Sequence, residues 1–275
     1  MSKIDHYENF PVASVLLPAA IRQDVIHIYK FARAADDIAD EGDASPAQRQ
    51  AMLNRFRHAL QSAAQTGGKA SVADPDLDVI FMPLGQTLAK RQLPVGLLMD
   101  LLSAFEQDTK IGRYRDEDMV LDYCRRSANP VGRLLLHLFR QTDTQSLRES
   151  DAVCTALQRI NFLQDIAIDW RKGRIYLSEQ GMAAAGVTEQ HIATGCCDQA
   201  WTDLMQCEVQ KCRDLMQKGS PLGRRLRGRI ALEIRLVIAG GLRILEKIEA
   251  VKFDVFNHRP TLTKTDWARM VVRAL

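Results

Sequence analysis

The amino-acid sequence predicts an all-α protein. Apolar residues recur at helical spacing along most of the 275-residue chain, as they do at Leu157, Ile160 and Leu163. The alternation of apolar and polar residues that marks a half-buried strand is almost absent, and only the short run RIYL at 174–177 favours a strand. With typical helix and loop lengths, these patterns predict about eight to ten helices.

Capping residues indicate where two of these helices begin. Ser45 is a good N-cap, and Pro46 suits the first helical position because its missing N–H would be unpaired there anyway. Phe56 and Leu60 then lie on one face of the predicted helix. Asp116 is a second N-cap, placed directly before another amphipathic stretch.

The composition indicates a globular protein with a sizeable core. Hydrophobic residues make up 46% of the chain, and no stretch rich in proline, glycine or serine divides it, so we expect one domain over residues 1–275. The 37 basic and 34 acidic residues give a net charge of +3, which offers no reason to expect a nucleic-acid partner.

Neither an export signal nor a membrane-spanning segment is predicted. The N-terminus lacks the apolar run of a signal peptide, and charged residues interrupt the most apolar late segment, at 230–245. The six cysteines show no paired metal-ligand spacing, so we expect reduced thiols in a cytoplasmic protein.

Two groups of aspartates carry the functional prediction. Asp36, Asp37 and Asp40 lie in FARAADDIADEG at 31–42, and Asp165 and Asp169 lie in NFLQDIAIDW at 161–170. A spacing of four residues places two carboxylates on one face of a helix, about 6 Å apart along its axis. The first group alone would suit a solvated acidic helix end.

The second group changes this interpretation because it lies in an apolar segment. A buried carboxylate is costly unless a cation neutralises it. Carboxylate oxygens suit Mg²⁺, which commonly divides its coordination sphere between a few carboxylates, water and substrate phosphates. We therefore expect two facing helices to hold Mg²⁺ and a diphosphate between them.

Polar residues at helical spacing extend both groups. Arg33 lies one turn before Asp36 and could contact a diphosphate oxygen. Gln158 and Asn161 continue the polar stripe of the second helix, although hydrogen bonds between helices would explain them equally well. On this evidence alone, Tyr29 is interpreted as a core aromatic residue with a satisfied hydroxyl.

The segments RAADDIAD, YCRRSANPVG and NFLQDIAIDWRKGRIYL together resemble the squalene/phytoene synthase family of head-to-head prenyl-diphosphate enzymes. Three further segments, HYENFPVAS, SANPVGRLLLHLF and GGLRILEKIEAVKFDVFNHRP, are similar to its hydroxysqualene synthase branch in bacterial hopanoid biosynthesis. The resemblance covers nearly the whole chain. It implies a class I isoprenoid (terpenoid) synthase fold, in which helices surround a central cavity.

The resemblance also implies an activity. An enzyme of this branch is a Mg²⁺-dependent lyase that converts presqualene diphosphate and water to hydroxysqualene and diphosphate. The diphosphate ionises, the carbocation rearranges inside an apolar cavity, and water captures it. The resemblance implies two or three Mg²⁺ ions and no NADPH, since no hydride is delivered.

Site roles carry over from the resemblance by position. The implied metal ligands are Asp36, Asp37, Asp40, Asp165 and Asp169. The implied catalytic set is Arg33 with Asp36, Asp40, Asp165 and Asp169. The implied substrate-binding residues are His6, Tyr29, Arg33, Tyr123, Gln158 and Asn161. Candidate residues of the apolar cavity wall are Phe31, Val131, Leu134, Leu135, Leu138 and Phe162.

The chain departs from the family pattern in the residues that follow His6, at Trp170 and at Gly240 and Gly241. Trp170 replaces an acidic residue found in many relatives, so the second group offers one metal ligand fewer. Gly240 and Gly241 lie where relatives usually have a tyrosine. We expect the missing phenol to alter hydrogen bonding near the diphosphate or to open space for water.

The implied partners are small molecules and pathway enzymes. Besides presqualene diphosphate or farnesyl diphosphate, they are a presqualene diphosphate synthase and a flavin-dependent hydroxysqualene reductase. The basic segment RRLRGRIALEIR at 224–235 has two interpretations, a solvated helix face or a surface that contacts an anionic membrane peripherally.

Two other functions remain open. The chain could join two farnesyl or geranylgeranyl diphosphates head to head, which would give squalene, dehydrosqualene or phytoene. A helical assembly protein that has lost the chemistry is a more remote alternative. The presence of all five aspartates disfavours it, because a protein without this chemistry would be expected to lose them.

Overall fold

A computed structural model describes residues 17–274 of the chain. Within that part, thirteen α-helices and two short strands confirm the predicted all-α fold. The helices are α1 Ala19–Asp40, α2 Pro46–Thr66, α3 Asp78–Arg91, α4 Val95–Asp108, α5 Glu117–Ser127, α6 Asn129–Leu138, α7 Thr144–Arg171, α8 Glu179–Ala184, α9 Glu189–Thr194, α10 Gln199–Gly219, α11 Leu222–Arg225, α12 Arg229–Ala250 and α13 Lys264–Ala274. Three of them, α8, α9 and α11, are short, which explains why the count exceeds the predicted eight to ten.

The predicted caps begin α2 and α5. The Ser45 hydroxyl accepts a hydrogen bond from the Gln48 N–H, and the Gln48 side chain accepts one from the Ser45 N–H. This reciprocal pair is a capping box, and Pro46 follows it as the first helical residue. At the start of α5, the Asp116 carboxylate accepts a hydrogen bond from the Met119 N–H.

Two short parallel strands tie the chain after α7 to the chain before α5. Strand β1 (Arg113–Tyr114) pairs with strand β2 (Ile175–Ser178), and the predicted strand run lies mostly within β2. The Ile175 N–H donates a hydrogen bond to the Gly112 carbonyl at 2.9 Å. This pairing fixes the course of the chain directly after the second aspartate group.

The helices pack into two apolar cores. In the first, formed mainly by α1–α4, Phe81 meets Phe31 and Phe56 edge to face at centroid distances of 5.8 and 5.1 Å. The second joins α7, α10 and α12 around the fully buried Trp201, and α6 contributes to both cores. Phe31 is fully buried in the first core and is not among the residues that line the cavity described below, contrary to the expectation from the sequence.

Helix α12 approaches α7 and α10 closely at Gly241. A Cβ atom there would lie 2.7 Å from Met216 Cε of α10 and 3.0 Å from Leu157 Cδ2 of α7. The missing side chain therefore permits close helix packing, and because Gly241 also lines the cavity, the expectation that a missing phenol opens space for water stays a prediction.

None of the helices within residues 17–274 combines the length and the apolar character needed to cross a bilayer.

Gly241→Ala should destabilise the protein by about 1–3 kcal/mol, because the added methyl group overpacks the contact of α12 with its neighbours. Urea unfolding followed by circular dichroism measures the change. The matched control is Gly96→Ala in α4, where a Cβ meets nothing within 4 Å and the better helix propensity of alanine should keep stability equal or higher. A Gly241→Ala variant as stable as Gly96→Ala would contradict the close packing.

Candidate active site

A cavity of about 540 Å³ lies between the two cores, with most of its wall formed by α1, α6, α7 and α12. Most of this wall is apolar. The residues contributed by α6 are Val131, Leu134, Leu135 and Leu138, as predicted. Phe162 does not belong to the wall, because its ring is buried in a stack on Tyr176 with the centroids 4.0 Å apart.

The first aspartate group lies at the C-terminal end of α1. Tyr29, Arg33 and Asp36 follow one another about one turn apart and line the cavity. Arg33 forms ion pairs with Asp36 at 3.3 Å and with Asp37 at 2.6 Å. The Asp36 side chain is 41% exposed, and since it faces the cavity, a ligand in the cavity can reach it.

The second group lies near the C-terminal end of α7. Asn161 and Asp165 line the cavity from this helix, whereas Gln158 is not among the residues of the wall. Arg259, which follows α12 in the chain, also lines the cavity and forms an ion pair with Asp165. One end of the cavity therefore collects acidic, basic and amide side chains from three parts of the chain.

Two cations join the aspartate groups. Asp40 forms ion pairs with Lys172 at 2.8 Å and with Arg174 at 2.7 Å. Both cations follow α7 directly, where the pairing of β2 with β1 holds the chain. The C-terminal ends of α1 and α7 consequently meet at the charged end of the cavity.

Burial and mutual repulsion raise the pKa of two of the aspartates. At Asp36 burial is the larger cause and Asp40 adds to it, so the pKa rises to about 6. At Asp169 burial acts together with the neighbouring Asp165, and the pKa rises to about 7. Burial would also raise the pKa of Asp40, but its two cation partners lower it below the ordinary value. None of the ion pairs formed by the described residues involves Asp169.

Tyr123 lies behind the cavity wall, not on it as the family resemblance implies. It is 4% exposed, and its hydroxyl donates a hydrogen bond to Asp108 Oδ2 at 2.6 Å. Tyr176 donates to Asp108 Oδ1 at 3.2 Å, and Arg174 donates to the Asp108 backbone carbonyl at 3.2 Å. Burial raises the pKa of Asp108 to about 7. This cluster supports Arg174, and through it Asp40.

Sequence reasoning missed the cations that contact the aspartates. Lys172 contacts Asp40 across 132 residues of chain, and Arg259 contacts Asp165 across 94 residues. Both cations lie in segments that carry the family resemblance, and no spacing rule indicates these contacts. The predicted substrate-binding residue His6 lies outside the described residues.

Comparison with known sequences assigns the family. The sequence model of the squalene/phytoene synthase family matches residues 4–266. The chain belongs to the squalene/phytoene synthase family. The family resemblance of the aspartate motifs is thereby confirmed.

Individual relatives within the squalene/phytoene synthase family are also similar to this chain. Hydroxysqualene synthase from Zymomonas mobilis is 40% identical over 184 residues, which are 66% of this chain and 58% of that protein. Hydroxysqualene synthase from Rhodopseudomonas palustris is 32% identical over 244 residues, 88% of this chain and 80% of that protein. Squalene synthase HpnC from Alicyclobacillus acidocaldarius has a similar structure, with a TM-score of 0.81 at 33% identity over 90% of both chains. The predicted isoprenoid synthase fold and the similarity to the hydroxysqualene synthase branch are confirmed.

Asp40→Asn should lower the pKa of both Asp36 and Asp169, by roughly one pH unit. The substitution removes a like charge and leaves two cations free to act on the remaining carboxylates. Carboxyl-carbon NMR titration of the metal-free protein measures both values. Asp203→Asn, at an exposed position of α10, is the control and should change neither. An unchanged or higher pKa after Asp40→Asn would contradict the coupling of the two groups.

Proposed function

We propose that the protein is a hydroxysqualene synthase that converts presqualene diphosphate and water to hydroxysqualene and diphosphate. The cavity is the main support for this proposal. Its apolar wall suits prenyl chains, and its charged end suits a diphosphate. The two relatives named hydroxysqualene synthase support the same reaction. A presqualene diphosphate synthase would supply the substrate, and a flavin-dependent reductase would consume the product.

We infer that the charged end binds Mg²⁺. Asp169 is a half-buried carboxylate that forms no ion pair among the described residues, and its pKa stays raised although Arg174 and Lys172 act against the shift, so a further positive charge would stabilise its ionised form. A set of carboxylate oxygens beside a diphosphate fits the preference of Mg²⁺. The residues that would hold two or three ions are Asp36, Asp37, Asp40, Asp165 and Asp169. Mg²⁺ bound there supplies positive charge that stabilises the diphosphate as it leaves.

The remaining residues of the site bind the diphosphate and shield the hydrocarbon. Arg33 and Arg259 line the cavity beside the aspartates, where their guanidinium groups can contact diphosphate oxygens once Mg²⁺ neutralises their present partners. Asn161 adds an amide at the same end. The apolar face of α6 keeps bulk water from the prenyl chains while the carbocation rearranges.

The alternative reaction is the head-to-head condensation of two prenyl diphosphates. It uses the same charged end, because farnesyl diphosphate and presqualene diphosphate carry the same leaving group. The two reactions differ in their class, since the condensation is a prenyl transfer whereas the proposed reaction is a lyase reaction. Product identity therefore decides between them.

Purified protein with Mg²⁺ and no NADPH should convert presqualene diphosphate to hydroxysqualene, as identified by gas chromatography with mass spectrometry. Asp165→Asn should reduce turnover at least about a hundredfold, because it removes a carboxylate from the metal site. Asp118→Asn, at an exposed position of α5, is the control and should retain turnover. Squalene, dehydrosqualene or phytoene formed from farnesyl or geranylgeranyl diphosphate would identify the alternative reaction instead.

We further propose that one end of the molecule contacts anionic membranes. Six basic side chains there are exposed and form no ion pair within residues 17–274, and we call them the basic face: Arg140, Arg148, Lys218, Arg224, Arg227 and Arg229. The ion pair of Arg225 with Glu149, at 2.8 Å, holds α11, which carries Arg224, against the start of α7, which carries Arg148. Such a surface suits an enzyme whose substrate and product partition into lipid.

Replacing Arg224, Arg227 and Arg229 by glutamine should weaken binding to vesicles that contain anionic lipid by about a hundredfold, at roughly 1 kcal/mol for each charge. Vesicle sedimentation at low and at high salt measures the binding, which should fall as salt rises. The matched control replaces three exposed lysines elsewhere, Lys30, Lys69 and Lys110. Wild-type protein that does not sediment with anionic vesicles at low salt would exclude the proposed contact.

A further inference from the structure

Glu233 of α12 is a half-buried acidic residue whose Oε2 atom has no partner among residues 17–274. Its Oε2 atom is buried and has no hydrogen-bond partner within the described residues, and the residue lines the cavity. Other buried acids of the protein are paired: Glu149 with Arg225, and Glu208 with Arg159. Glu233 therefore differs from the acids that hold the helices together.

No charged group of the described residues offsets the burial of Glu233. Burial is the cause that raises the pKa of its carboxyl group, with no contribution from a charged neighbour. Along α12, Glu233 lies two turns, or about 12 Å, before Gly241, which packs on Leu157 and Ile160. Because Arg259 joins the charged end from beyond the other end of α12, Glu233 belongs to the hydrocarbon part of the cavity.

A carboxylate in such a place requires a polar partner. An unpartnered buried charge is costly, and a polar group in a cavity with room for solvent recruits water. The cavity volume of about 540 Å³ is many times the roughly 30 Å³ that one water molecule occupies in the liquid. A wall of purely apolar side chains would hold no ordered water. Glu233 thus provides a place for water inside an otherwise apolar cavity.

We propose that Glu233 holds the water molecule that captures the rearranged carbocation, and that it accepts the proton released by this capture. This inference rests on the proposed function. In this proposal Glu233 determines the product, because the water that it holds makes the product an alcohol and not a hydrocarbon.

The position of Glu233 suits this step. The diphosphate leaves with the electron pair of the broken carbon–oxygen bond and stays at the charged end. Water held in the hydrocarbon part approaches the carbocation from the opposite side, where the diphosphate does not compete for it. A lone pair of the water oxygen forms the new carbon–oxygen bond, and one proton of the resulting oxonium passes to the Glu233 carboxylate. Bulk water takes up this proton after the product leaves.

The test compares the products that variants of Glu233 form from presqualene diphosphate with Mg²⁺. Glu233→Leu removes both the water site and the base, so the ratio of hydroxysqualene to hydrocarbon formed by proton loss should fall at least about tenfold. Glu233→Asp keeps the carboxylate and should retain the alcohol as main product. Glu249→Gln, on the exposed side of the same helix, is the control and should leave the ratio unchanged.

The outcomes separate this inference from the proposed function. An unchanged alcohol ratio in Glu233→Leu, or an equal loss of alcohol in Glu233→Asp, overturns the role of Glu233 and leaves the proposed function intact. A wild type that forms no alcohol overturns both. Thermal unfolding checks that the variants are folded. Glu233→Leu should be at least as stable as the wild type because it removes an unpaired, partly buried charge.

Discussion

The approach of two aspartate groups to each other, at the end of an apolar cavity that Asp36 and Asp165 line, is the constraint on which this structure depends. Like charges repel, and apolar walls solvate them poorly. Cations from three parts of the chain offset this cost: Arg33 within α1, Lys172 and Arg174 after α7, and Arg259 after α12. The compensation is incomplete, since the pKa of two of the aspartates stays raised. Metal and diphosphate would supply the missing charge balance.

The surrounding architecture holds these cations in place. The pairing of β1 with β2 directs the chain after α7 back toward α1, and Asp108 anchors Arg174 through its backbone carbonyl. The hydroxyls of Tyr123 and Tyr176 satisfy the buried Asp108 carboxylate. The absence of a side chain at Gly241 lets α12 pack closely on α7. The aspartates of the charged end therefore lie on packed helices, and ion pairs with them hold the cations of the adjoining turns, which suits a site that must stabilise developing charge without reorganising.

The cavity has two chemical environments. At one end, aspartates and arginines suit the departure of a diphosphate. In the remainder, apolar side chains of α1, α6 and α7 line the cavity together with the carboxylate of Glu233. Ionisation of the diphosphate and capture of the carbocation make different demands on the cavity. Ionisation needs concentrated charge, whereas capture needs one water molecule in a cavity that excludes bulk water. Separation of these environments along α12 lets one enzyme meet both demands.

The sequence by itself determined the helical class, the caps at Ser45 and Asp116, the strand run and the spacing of the aspartates. These features depend on neighbours within about one helical turn, which periodicity and capping rules describe. Only the tertiary structure decided which cations meet the aspartates, that Gly241 is a packing contact, and that Glu233 faces the cavity unpartnered. Each of these depends on the distance between helices far apart in the chain, and local sequence patterns contain no information about that distance.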